Sequence, residues 1–235
     1  MDKSLLTVYE IKDGVKKRLG SPHDGGYIVL EQKEYDLLIG AGVCDDDTFE
    51  RQFLDDHPQT TCLAFDGTIS QFPSVHDRIT WVPKNIGGEN TENVTNLHNE
   101  IEGYSDVFVK MDIEGAEYEW FRSLTKKHLN KFKQIVLETH GLSHPENMES
   151  LLEVFETHYL IHIHGNNHLG HDTVTCSDGS RLAIPQAFEF TFVRKSDFKE
   201  DEVCLNTQHF PMELDTPNAS ARADFIFTDA PWVHL

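Results

Sequence analysis

Seven apolar runs of strand length recur along the chain, and their spacing constrains the fold more than any other feature. They are Tyr35–Ile39, Thr61–Phe65, Arg78–Val82, Asp106–Met111, Gln134–Leu137, Tyr159–His164 and Ala187–Arg194. The first, second, fourth and fifth are almost continuously apolar, as strands covered on both faces are. Amphipathic stretches lie between several of them. Residues 46–57 put Phe49, Phe53 and Leu54 on one helical face, 115–124 do the same with Ala116, Trp120 and Leu124, and 145–158 open with a proline. Strands alternating with helices predict an α/β fold, a Rossmann-like, doubly wound, mostly parallel sheet. The last two runs alternate more and are separated only by His-, Gly- and Asn-rich chain, so the seventh strand is expected to run antiparallel. No repeat or low-complexity linker interrupts the pattern. We read residues 1–235 as one domain, with a core over 35–195 and covers over the sheet edges from 1–34 and 196–235.

Charge and composition narrow the function. The chain has 40 Asp+Glu against 20 Lys+Arg, a formal charge of −20. Such a surface repels phosphodiester backbones and anionic lipid, which argues against nucleic-acid and membrane partners. No apolar run approaches the roughly 20 residues that span a bilayer. The first residues, MDKSLLTVYEIKDG, contain no apolar signal core, so a cytoplasmic location is expected. Cys44, Cys62, Cys176 and Cys204 are widely spaced and suggest neither a zinc site nor a disulfide framework.

Ligands of open α/β sheets bind beyond the carboxyl ends of the strands, so the residues that follow each run carry the functional information. After the first come Gly40-Ala41-Gly42, in LIGAGVCDDDTFE. The glycines suit close passage of backbone past a cofactor. Asp45, Asp46 and Asp47 then place negative charge where a pyrophosphate would dock, which disfavours NAD or FAD and suits a cofactor carrying a sulfonium and an ammonium. One of these acids also suits simple helix capping. Asp66-Gly67 end the second run, where an acid can accept from both hydroxyls of a ribose. Lys84 and Asn85 follow the third, in reach of an adenine. Asp112 and Glu114 follow the fourth, Glu138 and His140 the fifth, and Asn166 and Asn167 the sixth, next to His164.

These segments, taken in order, resemble class I S-adenosylmethionine (SAM) dependent methyltransferases of the FkbM-like group. The matching stretches are RLGSPHDGGYIVL, LIGAGVCDDDTFE, FVKMDIEGAEYEWF, IVLETHGL, IHIHGNN and LDTPNASARADF, from about Arg18 to Asp224. The most specific is K-x-D-x-EGAE after an apolar strand. The resemblance implies a seven-stranded Rossmann-like sheet with its last strand reversed, SAM as cofactor and O-methylation, often of sugar hydroxyls. It also places Tyr27 near the ligands. Many class I enzymes carry an acid two residues before the first glycine; here that position is Leu38, so Asp45 or Asp46 is expected to hold the cofactor's amino group.

A hydroxyl acceptor needs its proton removed or polarised. Two readings stand: Asp112, Glu114 or His140 as base, or Asp112 and Glu138, with His140 nearby, as ligands of Mg²⁺ or Mn²⁺, similar to catechol O-methyltransferases. A third leaves the carboxylates as helix caps or partners of Lys110. Tyr27, His164, Asn166 and Asn167 are expected to face a small-molecule or glycan acceptor. Glu117 and Glu119 read as a solvated or capping face, and Asp215-Thr216-Pro217-Asn218 as a turn. An NAD-linked oxidoreductase and a non-catalytic binding module on the same fold are the competing functions.

Overall fold

The computed structural model describes residues 1–235. All seven runs form one sheet: β1 (Leu37–Ala41), β2 (Thr61–Phe65), β3 (Ile79–Val82), β4 (Val107–Met111), β5 (Phe132–His140), β6 (His158–Gly165) and β7 (Ala187–Arg194). Their spatial order is β3-β2-β1-β4-β5-β7-β6. β1 pairs parallel with β2 and β4, β2 with β3, and β4 with β5. β7 alone is reversed, antiparallel to both β5 and β6. This is the Rossmann-like, mostly parallel sheet with a reversed last strand that the sequence predicts. Strand order changes direction between β1 and β4, and that switch point opens a crevice at their carboxyl ends.

Alternate residues feed two apolar layers, as the two-residue period of a strand requires. On one face Leu37, Ile39, Ala41, Val107, Val109, Met111, Ile135 and Leu137 pack against Trp120 and Phe121 of the helix α2 (Glu117–Ser123) and against Leu151, Val154 and Phe155. Both chain ends join this layer through Leu6, Val8, Phe210, Phe227 and Trp232. On the other face Leu38, Cys62, Ala64, Phe108 and Val136 meet Phe49, Phe53 and Leu54 of α1 (Thr48–Asp56). That layer is completed by the hairpin Lys16–Gly20/Gly26–Leu30, which inserts Leu19, Tyr27 and Val29.

The N-terminal residues thus cover a face of the sheet and not only an edge, because the hairpin's own alternation supplies an apolar side. Residues 145–157 form two short helices, Pro145–Ser150 and Leu152–Thr157, that meet at buried Leu151 instead of one continuous helix. The stretch between β6 and β7 contains a hairpin, His171–Thr175 with Arg181–Pro185. Its signal is the Asp178-Gly179 pair, with Gly179 at φ +82°. Tyr9–Ile11 pairs antiparallel with Val203–Leu205, tying the two ends of the chain together. No helix is long and apolar enough to cross a membrane.

Candidate functional site

A cleft of about 390 Å³ opens at the switch point. Gly42 and Cys44 from the turn after β1, Phe65, Asp66 and Thr68 after β2, and Asn85 and Ile86 after β3 form one side. Asp112, Ile113, Glu114 and Ala116 after β4 form the other. No lysine or arginine lines it. A larger hollow of about 530 Å³ around Lys17, Tyr35 and His57 lies at the opposite end, among residues that precede β1 and β2, and only one of its lining residues is hydrophobic.

Asp66 is fixed before any ligand arrives. Its Oδ2 accepts from the Cys44 amide at 2.8 Å, and its Oδ1 from the Thr68 amide at 2.8 Å and the Thr68 hydroxyl at 2.6 Å. Burial pushes its carboxyl up, but these hydrogen bonds outweigh burial and hold it below the usual carboxylate range. It therefore stays charged, with lone pairs left over for hydroxyl donors. Asn85 Oδ1 accepts from the Gly67 amide at 3.1 Å, which joins the β2 and β3 ends.

The glycines owe their place to protein neighbours. A Cβ on Gly42, at φ +72°, would stand 1.6 Å from the Asp112 carbonyl oxygen; one on Gly40 would stand 2.5 Å from Glu50 Oε1. Gly40 and Ala41 lie in the buried strand outside the cleft, and only Gly42 reaches its wall. Asp45 is exposed on the turn. Asp46 starts the helix, accepting from the Thr48 amide at 2.9 Å and from the Ser21 hydroxyl. Neither lines the cleft.

At the ends of β4 and β5 a second group converges. The Tyr27 hydroxyl lies 3.2 Å from Asp112 Oδ2 and 3.4 Å from Glu138 Oε2. Burial keeps the Tyr27 proton on, so the hydroxyl is the donor facing this acid pair. Burial also raises both acids: Lys110 and His140 oppose the rise at Asp112, whereas Asp112, Glu189 and Asp24 reinforce it at Glu138. The upward push is therefore stronger at Glu138 than at Asp112. Its Oε1 accepts from Asn166 Nδ2 at 2.9 Å, and Asp112 Oδ1 is buried with no partner.

His140 stands between three acids, with Nε2 3.4 Å from Glu114 and 3.7 Å from Glu138, and Nδ1 3.5 Å from Glu117. Burial lowers its pKa, but Glu117, Asp112 and Glu114 outweigh burial and raise it. Glu114 sits at φ +57°, an uncommon conformation for a side chain of this kind, with its carboxylate mostly in solvent. Ligand atoms of Asp112, Glu114 and His140 lie within 4.8 Å of one another. Two carboxylates and an imidazole are a fitting donor set for a divalent cation. Glu138, of the expected pair with Asp112, lies outside that trio, with its oxygens bonded to Tyr27 and Asn166 and Oε1 3.7 Å from His140 Nε2.

The residues expected to face an acceptor from β6 are engaged elsewhere. His164 is buried, with Nδ1 3.1 Å from Glu189 and Nε2 3.0 Å from Asp224, and these acids outweigh burial to raise it to about 10. Asn167 Nδ2 donates to the carbonyls of Ala219, Arg222 and Ala223, and its Oδ1 accepts from the Ala219 amide at 2.7 Å. Asn166 Oδ1 accepts from the His168 amide at 2.9 Å. The tail segment 215–224 is therefore no simple turn. Asp215 pairs with His162 at 2.9 Å, and Asn218 donates to Glu189 at 2.7 Å. It also reaches the hairpin turn, where His23 Nδ1 meets the Pro217 carbonyl at 2.9 Å.

Two acids read wrongly or passed over in the sequence prove central. Glu117 is fully buried rather than solvated, accepting from the Gly115 amide at 2.8 Å and the His140 amide at 2.9 Å, and so fixes both sides of the cluster. Glu50 is fully buried beneath Gly40. A signal for both exists in the sequence. Each stands three and four residues before apolar positions of its helix, Phe53 and Leu54 or Trp120 and Phe121, and so on the inward face.

No family profile matches the chain, and no curated protein does. Solved structures with a similar fold include a fibrillarin/Nop5p complex, at 10% identity and TM-score 0.41, over 71% of this chain and 76% of that one. Precorrin-6y C5,15-methyltransferase from Geobacter metallireducens GS-15 is 12% identical with TM-score 0.39, over 69% and 82%. A SAM-dependent methyltransferase from Anabaena variabilis ATCC 29413 is 14% identical with TM-score 0.37, over 68% and 77%.

Proposed function

We propose that this chain is a SAM-dependent methyltransferase that acts on a hydroxyl of a sugar, a glycan or a similar small molecule. The observation that carries the reading is the cleft itself. It lies at the switch point, presents one fixed carboxylate, Asp66, beside the apolar side chains of Phe65, Ile86 and Ile113, and offers no positive charge. A dinucleotide brings two phosphates and finds no cation there; an adenosine joined to a cationic amino-acid tail finds what it needs. The NAD-linked alternative loses ground for this reason. The acceptor class follows from the FkbM-like resemblance, and the charge of −20 favours neutral over anionic acceptors.

SAM supplies a methyl group already activated on a sulfonium. The protein's task is to orient an acceptor hydroxyl and take its proton. Asp112 is the residue suited to this, because its Oδ1 has no partner, and Lys110 and His140 oppose the rise that burial imposes on its carboxyl. The Tyr27 hydroxyl holds the other oxygen in place at 3.2 Å. His140, whose pKa the surrounding acids raise, stands next to the developing negative charge. A second reading rests on the convergence of Asp112, Glu114 and His140, which would hold Mg²⁺ or Mn²⁺ and polarise the hydroxyl instead.

Isothermal titration with SAM and with NAD, each with EDTA and with Mn²⁺, tests these readings. Micromolar SAM binding with NAD silent is expected. NAD binding with SAM silent would overturn the proposal, and heat from neither would leave a binding module as the better account. A Mn²⁺ heat that vanishes in Glu114→Gln would favour the metal reading.

A further inference from the structure

Between Phe210 and Phe227 the chain leaves the core and returns to it. These two residues exchange backbone hydrogen bonds, 3.0 Å from the Phe210 amide and 2.8 Å from the Phe227 amide. Both side chains are buried in the apolar layer, with Trp232 beside them. Residues 211–226 are thus a loop closed at its base, of the compact surface kind that often carries function. Within it only Asn218 is buried; Met212 and Phe225, next to the base, are partly so.

Polar contacts hold the body of the loop to the sheet. Asp215 pairs with His162, and Asp224 with His164. Asn218 Nδ2 donates to Glu189 Oε1 at 2.7 Å and to Asp24 Oδ1 at 3.2 Å. The Thr216 hydroxyl donates to the Pro22 carbonyl, and Arg222 to the carbonyls of Asn167 and His168. Water can replace such contacts, but not the apolar ones at the base. The sheet also keeps partners of its own when the loop lifts. His164 retains Glu189 at 3.1 Å, and Asn166 retains Glu138 at 2.9 Å. The loop can therefore open on its base while the core stays closed, as a sub-global unit.

Its position gives that opening a use. Asp24 Oδ1, which takes Asn218, also takes Asn166 Nδ2 at 3.4 Å. Asn166 bonds Glu138, and Glu138 lies with Tyr27 beside Asp112. None of the loop lines the donor cleft. At the two ends of this run of contacts, Asp112 Oδ1 and Asn218 Oδ1 are buried without a partner. Both oxygens lack a donor, which hydroxyls supply and an ionised phosphate or carboxylate does not.

We propose that residues 211–226 form a lid on the acceptor side, latched by Asn218 to Glu189 and Asp24. It lifts on the Phe210–Phe227 base to admit a hydroxyl-bearing acceptor and closes over it. The acceptor's part rests on the methyltransferase reading; the lifting does not.

The test labels carboxyls of the full chain with a water-soluble carbodiimide and glycine ethyl ester, read by mass spectrometry. Glu138 and Glu189 are 3% and 6% exposed, whereas Glu50 and Glu117 are fully buried under helices and serve as controls. Losing a latch bond to a carboxylate shifts opening about tenfold, so Asn218→Ala should label Glu138 and Glu189 faster by that factor. Glu50 and Glu117 should stay silent. Equal rises at all four acids, or no rise at any, would overturn the proposal. If Asn218→Ala fails to fold, the wild-type chain decides through trypsin. Arg222 is the one Lys or Arg after Lys199. Cleavage there should be insensitive to low urea, because lifting a lid exposes little surface. A rate that climbs with urea as global unfolding does would overturn the proposal. SAM affinity in Asn218→Ala should stay within about twofold of wild type, since the cleft lies apart from the lid. A large loss would put the loop over the donor and overturn its acceptor-side role. A wild-type chain silent to SAM would instead strike the methyltransferase reading, while the labelling still decides the lid.

Discussion

The two halves of the sheet's carboxyl edge use the same residue types to opposite ends. At β1, β2 and β4 the polar side chains are fixed by the backbone and keep valences free. Asp66 takes two amides and a hydroxyl yet faces the cleft, and Asp112 Oδ1 has no partner. At β6 and β7 the polar side chains spend their valences on one another and on the tail. His164 lies between Glu189 and Asp224, and Asn167 holds three carbonyls of the tail. The difference teaches that an Asp, His or Asn at a strand end is a ligand candidate only if no distant segment claims it first.

That contrast can be broken by substitution. The largest effect is expected from Asp112→Asn, which should lower methyl transfer by about 10²- to 10⁴-fold while leaving SAM affinity nearly unchanged. Rates with any accepted hydroxyl compound, set beside titration of SAM, check it. His164→Ala should do the reverse. It leaves two buried carboxylates without their cation, and unfolding in urea should register a loss of about 3–5 kcal/mol with SAM affinity preserved in the folded fraction. Loss of SAM binding at unchanged stability in His164→Ala would erase the distinction between the two halves.

Asp66→Ala comes next. Losing hydrogen bonds to a charged group is worth about 1.5–3 kcal/mol, so SAM should bind some 10- to 100-fold more weakly in calorimetry. An unaltered affinity would remove Asp66 from the cofactor site.

A smaller and graded effect concerns pH. His164 is raised from an ordinary 6.5 to about 10 by its two acids. A raised pKa in the folded state means that the stabilisation is complete below pH 6.5 and is lost as pH climbs through 6.5 towards 10. Urea midpoints measured from pH 6 to 10 should fall accordingly, and His164→Ala should flatten this part of the profile. A flat wild-type profile would show that the histidine is neutral in its pocket.

Much of the fold was legible because its determinants are local. Each strand is a short apolar run, and the reversed β7 was foreshadowed by its stronger alternation. The strand-end residues could be enumerated from the same pattern, and the cleft draws on four of those segments, around Gly42, Asp66, Asn85 and Asp112. The division of labour among the candidates was not legible. Glu114 stands with Asp112 and His140 while Glu138 is bonded to Tyr27 and Asn166, because side-chain direction at a strand end depends on which hydrogen-bond donors the hairpin and β6 bring near. The tail 215–224 looked like a turn because its partners lie far off in sequence, from 29 residues for Glu189 to 194 for His23.

The sequence by itself determined the sheet, the reversal of its last strand and the carboxyl edge on which a site must lie. Hydrophobic periodicity encodes these things within windows of ten or so residues. Only the tertiary structure decided which charges are buried, which are paired and which are free. Glu50 and Glu117 read as ordinary helix acids until Gly40 and the Gly115 and His140 amides close around them. The physical reason is that the cost of burying a charge, and the partner that offsets it, are properties of an enclosure. Segments remote in the chain build that enclosure, and no local pattern records it.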